Sequence, residues 1–181
     1  MRRVRLYYRD MSEILGSNGF SVVRLTDVDG LSAICVICDK AMSDQLSIRM
    51  NHLPGCDLML PEVLLKMLLP NGVDAFELMV YDIQNGQYRV SLLNRKTMAI
   101  LPIRMSDALL LHYITRMPIY IDEELMVRQC SPFTPEARSI AIPINTLDTE
   151  RLNKELERAV AEENYRLASQ LHEEIQKRCK Q

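Results

Sequence analysis

The sequence predicts a mixed α+β domain with a β-sheet and packed helices, followed by a C-terminal αα-hairpin. Three observations carry that expectation. Asp29-Gly30 and Asn85-Gly86 are hairpin-turn dipeptides set between runs rich in β-branched residues. Stretches with helical spacing interrupt those runs irregularly, which points to a mixed α+β domain. From residue 150 the texture changes: 14 of the last 32 residues are charged, seven of each sign, and the apolar ones recur at helical spacing.

In chain order, Arg2, Arg3, Arg5 and Arg9 alternate with Val4, Leu6 and Tyr8. On a strand this gathers Arg3, Arg5 and Arg9 on one face, either a solvated surface or a phosphate-contacting edge. Val22, Leu25 and Val28 then lead into Asp29-Gly30, and 31–38 returns as the second strand of a hairpin. Residues 39–50 switch to helical spacing through Ala41, Leu46 and Met50. Pro61 opens a second helix that stops at Pro70-Asn71-Gly72. Strands follow at 75–83 and 88–93 across Asn85-Gly86, then a third at 98–104 that leads into a helix over 107–115. A short strand at 118–121 and a short helix at 123–127 complete a domain of about 125 residues, long enough to bury its own core. Residues 129–149 hold Pro132, Pro135 and Pro143 without helical period and read as a linker, with 139–144 a possible edge strand.

In the tail, Leu152, Leu156, Ala159 and Val160 form one helical stripe, and Tyr165, Ala168, Leu171 and Ile175 another, with Asn164 placed to cap the second helix. Eight apolar side chains cannot stabilise 32 residues alone. The hairpin is therefore expected to dock on its own domain, on a second copy in a homo-oligomer, or on a protein partner.

Composition excludes several classes. The 181 residues carry 22 basic and 24 acidic side chains, a net charge of −2. Phosphate contacts normally come with a basic excess, so a nucleic-acid role needs a local patch or a bound metal. No apolar run approaches the roughly 18 residues that span a bilayer, and the densest, 63–69, is broken by Lys66. The basic N-terminal residues are followed by no signal-like apolar core, which leads us to expect a cytoplasmic protein. Five cysteines, an odd number, point to reduced thiols. Cys35 and Cys38 are spaced as CxxC but fall on a strand, where a three-residue offset points them to opposite faces. Asp27 and Asp29 resemble part of a calcium loop, yet no downstream glutamate completes it, and a hairpin turn accounts for both. The eleven methionines read as core filler. With six glycines the chain has no phosphate-cradling loop, and no Ser-His-Asp or Cys-His pattern is present.

One stretch is more specific. The run IRMSDALLL at 103–111, followed by Pro118, Ile119, Tyr120 and Ile121, is similar to a signature of the bifunctional nuclease family, Arg-Pro-Ser-Asp-Ala, an apolar helix, then Pro-Ile-Tyr. The order of elements over 1–128 also looks like that family. The tail, especially NYRLASQLHEEI at 164–175, resembles the UVR motif of bacterial excision-repair proteins, a helical hairpin used for protein contact. The resemblance implies a nuclease-like domain over 1–128, a linker over 129–149 and a UVR-like hairpin over 150–181. The departures are equally specific. Met105 replaces the signature proline, Lys40 stands where a glutamate usually precedes Ala41, and DLMLPEV at 57–63 replaces Arg-Pro-x-Thr-His-Asp-Leu, with Glu62 its remaining acid beside the helix.

The resemblance implies cleavage of DNA or RNA with Mg²⁺ or Mn²⁺. Asp107 would ligate the metal or orient water, Arg104 would grip a phosphate, and Ser106 and Glu62 would accompany them. Asp122, Glu123 and Glu124 are further acidic candidates. A purely structural account stands beside this one: Ser106 as N-cap, Asp107 complementing the helix dipole, and Arg104 its ion-pair partner. The second functional expectation is accordingly a catalytically silent scaffold that recruits or dimerises partners through its tail.

Overall fold

The alternating N-terminal segment forms β1 (Arg3–Glu13), and in the computed structural model, which describes residues 2–14, 19–68, 73–133 and 143–179, this strand lies inside the sheet. Its first half pairs antiparallel with β7 (Ile119–Asp122), Leu6 opposite Ile119. Its second half, from Tyr7 on, pairs with β2 (Ser21–Thr26), with a bulge between Tyr8 and Asp10. The remaining strands are β3 (Ser32–Cys38), β4 (Phe76–Gln84), β5 (Gln87–Asn94), β6 (Ile100–Arg104) and the two-residue β8 (Ser131–Pro132). The sheet runs β6-β5-β4-β7-β1-β2-β3-β8, antiparallel throughout except where β7 lies parallel to β4.

Both turn dipeptides do what their chemistry requires. Gly30 has φ +67°, and Asn85 and Gly86 have φ +50° and +79°, the positive pair of a tight primed turn. Asp27 serves its hairpin, accepting the Leu31 N–H on Oδ1 and the Gly30 N–H on its carbonyl.

Helix α1 (Lys40–Met50) is capped by Asp39, which accepts the Met42 N–H at 2.8 Å. Helix α2 (Leu60–Leu68) begins one residue before Pro61; the expected stop at 70–72 lies outside the described residues. Helix α3 (Met105–Thr115) starts two residues earlier than the pattern suggested, and α4 (Glu123–Gln129) runs two residues longer. Leu6, Leu78, Ile119, Ile121 and Leu125 are wholly buried in one core shared by the sheet, α1, α3 and α4. Met42, Met105, Met117 and Met126 fill that core, but Met67 and Met98 are 70% exposed, so the methionines are not uniformly interior. Among the described residues, no helix is long and apolar enough to cross a membrane.

Cys35 and Cys38 are buried thiols on β3; burial raises both, and pushes Cys38 up to about 12. His112 on α3 is also buried and shares a 2.7 Å hydrogen bond with the Met117 carbonyl, which can only accept, so Nδ1 carries the proton. Burial lowers its pKa below 6.5, the Met117 bond opposes this, and Arg116 and Arg5 add to it. Between the folded and unfolded values the unfolded chain binds the extra proton, so stability from this group is full above 6.5 and is lost as pH falls through that window. Urea melts at pH 7.5 and 5.5 are expected to show a smaller acid loss in His112→Asn, which keeps a donor but cannot titrate; equal losses would remove His112 from the acid response.

The tail forms α5 (Thr149–Ala161) and α6 (Tyr165–Cys179), with Asn164 accepting the Leu167 N–H as expected. Leu152, Ala159, Ala168 and Leu171 make its small core, completed by Ile144 and Leu147 from the segment read as linker. Val160 and Tyr165 fall outside it, at 52% and 69% exposure. Part of that segment is therefore built into the hairpin, and Ser131–Pro132 pairs with β3; most of the possible edge strand at 139–144 lies outside the described residues. The hairpin docks on its own domain. The Leu147 carbonyl sits over Gly86 where a Cβ would overlap it, and the Arg151 guanidinium stacks 3.7 Å from the Phe20 ring centroid.

Candidate functional site

Two strand-to-helix junctions meet at the site. Strand β6 passes directly into α3 at Arg104, and β3 passes through Asp39 into α1. Residues of β3, β5 and β6 line one cavity of about 450 Å³, although four strands separate β3 from β5 in the sheet order. The sheet must curl to bring its two sides that close. Helix N-termini expose N–H groups and partial positive charge, so one left uncapped at the mouth favours an anion. Arg104 and Arg89 also line the cavity, with Asp39 the acidic residue among its lining.

The two termini differ. Asp39 fills the first turn of α1, whereas at α3 the N-cap is Arg104, whose side chain makes no cap bond. This corrects the expectation that Ser106 is the N-cap. Strand pairing extends to Arg104, opposite Arg89, so Ser106 falls inside the first turn and lines the cavity. Arg104 is 79% exposed and holds both oxygens of Asp107, Nε to Oδ2 at 2.7 Å and Nη2 to Oδ1 at 3.1 Å. Asp107, then Asp39, favour the charged guanidinium and keep its pKa raised.

The structure thus brings Arg104 and Ser106 to the cavity lining, while Asp107 lies outside the lining and is joined to it through Arg104. Glu62 is elsewhere: it does not line the cavity but pairs bidentately with Arg49 of α1, at 2.6 and 2.8 Å. Asp122 caps α4 by accepting the Glu124 and Leu125 N–H groups, and Glu123 and Glu124 occupy that helix's first turn, where its dipole favours them. The basic row of β1 is neither an edge nor free. Arg3 bonds Glu77 at 2.6 Å and lies over Tyr120, Arg5 lies over Tyr7, and Arg9 donates to Thr26.

A metal requires converging donors. Among the described residues no group of three His, Cys, Asp or Glu side chains is placed to hold one, and both Asp107 oxygens are bonded to Arg104. The donor set at this cleft does not fit a metal held by the protein alone.

The cavity also contains residues that no sequence signal marked. Tyr81 is 42% exposed on its wall. Tyr88 is nearly buried there, and its hydroxyl has no hydrogen-bond partner. Thr146 arrives from the segment ahead of α5. The Asn85-Gly86 turn explains how Tyr81 and Tyr88 come close, but nothing local in the sequence tells that β3 will face them.

No family model and no curated protein matches this chain. The likeness to bifunctional nucleases and to the UVR motif rests on the motif residues and the order of elements read from the sequence.

Proposed function

We propose that the cleft at the head of α3 binds a nucleic-acid phosphodiester and that the chain is a nuclease-like protein whose C-terminal hairpin contacts other proteins or a second copy. The observation that carries this reading is the α3 N-terminus, uncapped by any side chain, with the exposed Arg104 beside it at a cavity mouth. A phosphate oxygen there would meet backbone N–H donors and a guanidinium fork. Arriving phosphate competes with Asp107 for Arg104, an exposed pair held weakly enough to exchange. The released carboxylate, outside the cavity lining but one guanidinium away from the phosphate, would be the nearest base of α3. It can accept a proton from a water whose oxygen attacks phosphorus, while the departing sugar oxygen takes a proton from solvent. Mg²⁺ or Mn²⁺, expected from the resemblance, would supply Lewis acidity to a phosphoryl oxygen, but the donor set gives no step to derive through it. A cytoplasmic setting, where the five cysteines stay reduced, goes with this reading.

The test is cleavage of plasmid DNA and of single-stranded RNA, with Mg²⁺, Mn²⁺ or chelator, by wild type beside Asp107→Ala. Loss of a proton-accepting group is expected to cost about 10²- to 10⁴-fold in rate. Absence of cleavage by folded wild type in every condition would sink the enzyme.

The second reading, a silent scaffold, is favoured by one observation: the Arg104–Asp107 pair is complete without any ligand. Val160 and Tyr165, exposed near the turn of the hairpin, are then the first residues to test for partner binding or homo-oligomer formation.

A further inference from the structure

The cavity behind Arg104 is larger than a phosphate needs. Its roughly 450 Å³ falls in the ordinary range of sites for small organic ligands, about 300–1,000 Å³. Its wall offers two things that phosphate does not use. Tyr81 presents a large aromatic side chain at 42% exposure, where it has no core to fill. Tyr88 is 6% exposed, with a hydroxyl that no protein group satisfies, although buried polar groups are nearly always bonded. Nucleobases supply what both lack, a π-face for stacking and edge atoms for hydrogen bonding.

We infer that the cavity takes one unpaired nucleotide, its phosphate at the head of α3 beside Arg104 and its base inside against Tyr81 and beside Tyr88, whose buried, unpartnered hydroxyl turns to the base edge on binding, so that the substrate class is single-stranded nucleic acid. The inference deepens the phosphodiester reading and rests on it. A paired base is committed to its own stack and partner and cannot enter a cavity of this size without being extruded, which costs the duplex its pairing energy. A single strand meets no such cost. Thr146 lies on the same cavity wall. Its segment is held by Arg178 of α6, which donates to the Leu147 and Asn145 carbonyls at 2.7 and 3.1 Å, so the hairpin builds part of the nucleotide's enclosure.

The test uses the full chain and fluorescence anisotropy with a labelled twelve-nucleotide strand, its duplex, and an abasic strand of the same length. The single strand is expected to bind about tenfold or more tightly than either of the others. Tyr81→Ala should remove that difference and Tyr81→Phe should keep it. Tyr88→Phe removes an unsatisfied buried hydroxyl, so the free protein should melt about 2–4 °C higher while single-strand binding weakens. Equal binding of single strand and duplex, no effect of Tyr81→Ala, or a Tyr88→Phe melting gain without weaker binding would each overturn the inference. Arg104→Ala separates it from the phosphodiester reading. That variant should weaken all three probes alike and lower the salt dependence; if it does so while the base-dependent contrasts are missing, the phosphate site stands and the nucleotide pocket falls.

Discussion

Glu62→Ala is expected to destabilise the protein by about 3–5 kcal/mol, the cost of leaving a buried charge without its partner. The Arg49 side chain is 4% exposed and that of Glu62 12%, and the guanidinium also bonds the backbone and side-chain oxygens of Gln45. Once the carboxylate is removed, water cannot replace it without opening the contact between α1 and α2. The loss is large against a total stability of about 5–15 kcal/mol for a domain. Urea unfolding measures it, and a loss under about 1 kcal/mol would mean that the pair opens freely to solvent. The paired replacement Arg49→Met with Glu62→Leu should restore most of the loss, because matched apolar side chains leave no orphan charge. The same variant addresses the catalytic role expected of Glu62. At a temperature where it stays folded, Glu62→Ala should cleave or bind as wild type does, since this residue does not line the cleft.

Leu152→Ala and Leu171→Ala are each expected to cost the hairpin about 2–5 kcal/mol. Both side chains are essentially unexposed, and the core they belong to has only four buried members among the described residues. A cavity in so small a cluster has few neighbours to relax into it. The loss should be local, with amide exchange across α5 and α6 accelerating while the sheet stays protected. It should also reach the cleft, since Ile144 and Leu147 pack in that core and Thr146 lies between them in sequence. Normal hairpin protection in Leu152→Ala would show that contacts such as Arg151 on Phe20 hold the hairpin without its core.

The features legible in the sequence were those fixed by local chemistry. Asp29-Gly30 and Asn85-Gly86 mark their turns because positive φ excludes most residues. Asn164 as a cap, and the α5 stripe apart from Val160, follow from capping and periodicity. What was not legible depends on which distant strands become neighbours. The parallel pairing of β7 with β4 leaves no local trace, and the helix start at Arg104 follows from its pairing opposite Arg89. The Arg49–Glu62 contact links two helices whose relative placement no periodicity encodes. Within the candidate site, Arg104, Ser106 and Asp107 were readable because they are consecutive or nearly so. Tyr81, Tyr88 and Thr146 were not, because only the curl of the sheet assembles them.

The central position of β1 has a consequence for how the chain comes to be made. Of the eight strands β1 is made before the others, yet its pairing is finished late, because Leu6 waits for Ile119, about a hundred residues further along. Meanwhile β2 with β3, and β4 with β5, can close as neighbours in sequence. Half of β1 therefore travels as an open edge carrying Leu6, a side chain destined for complete burial, until β7 has been made. Losing the pairing of Arg3–Leu6 would not fray a margin of this sheet but unzip it down the middle.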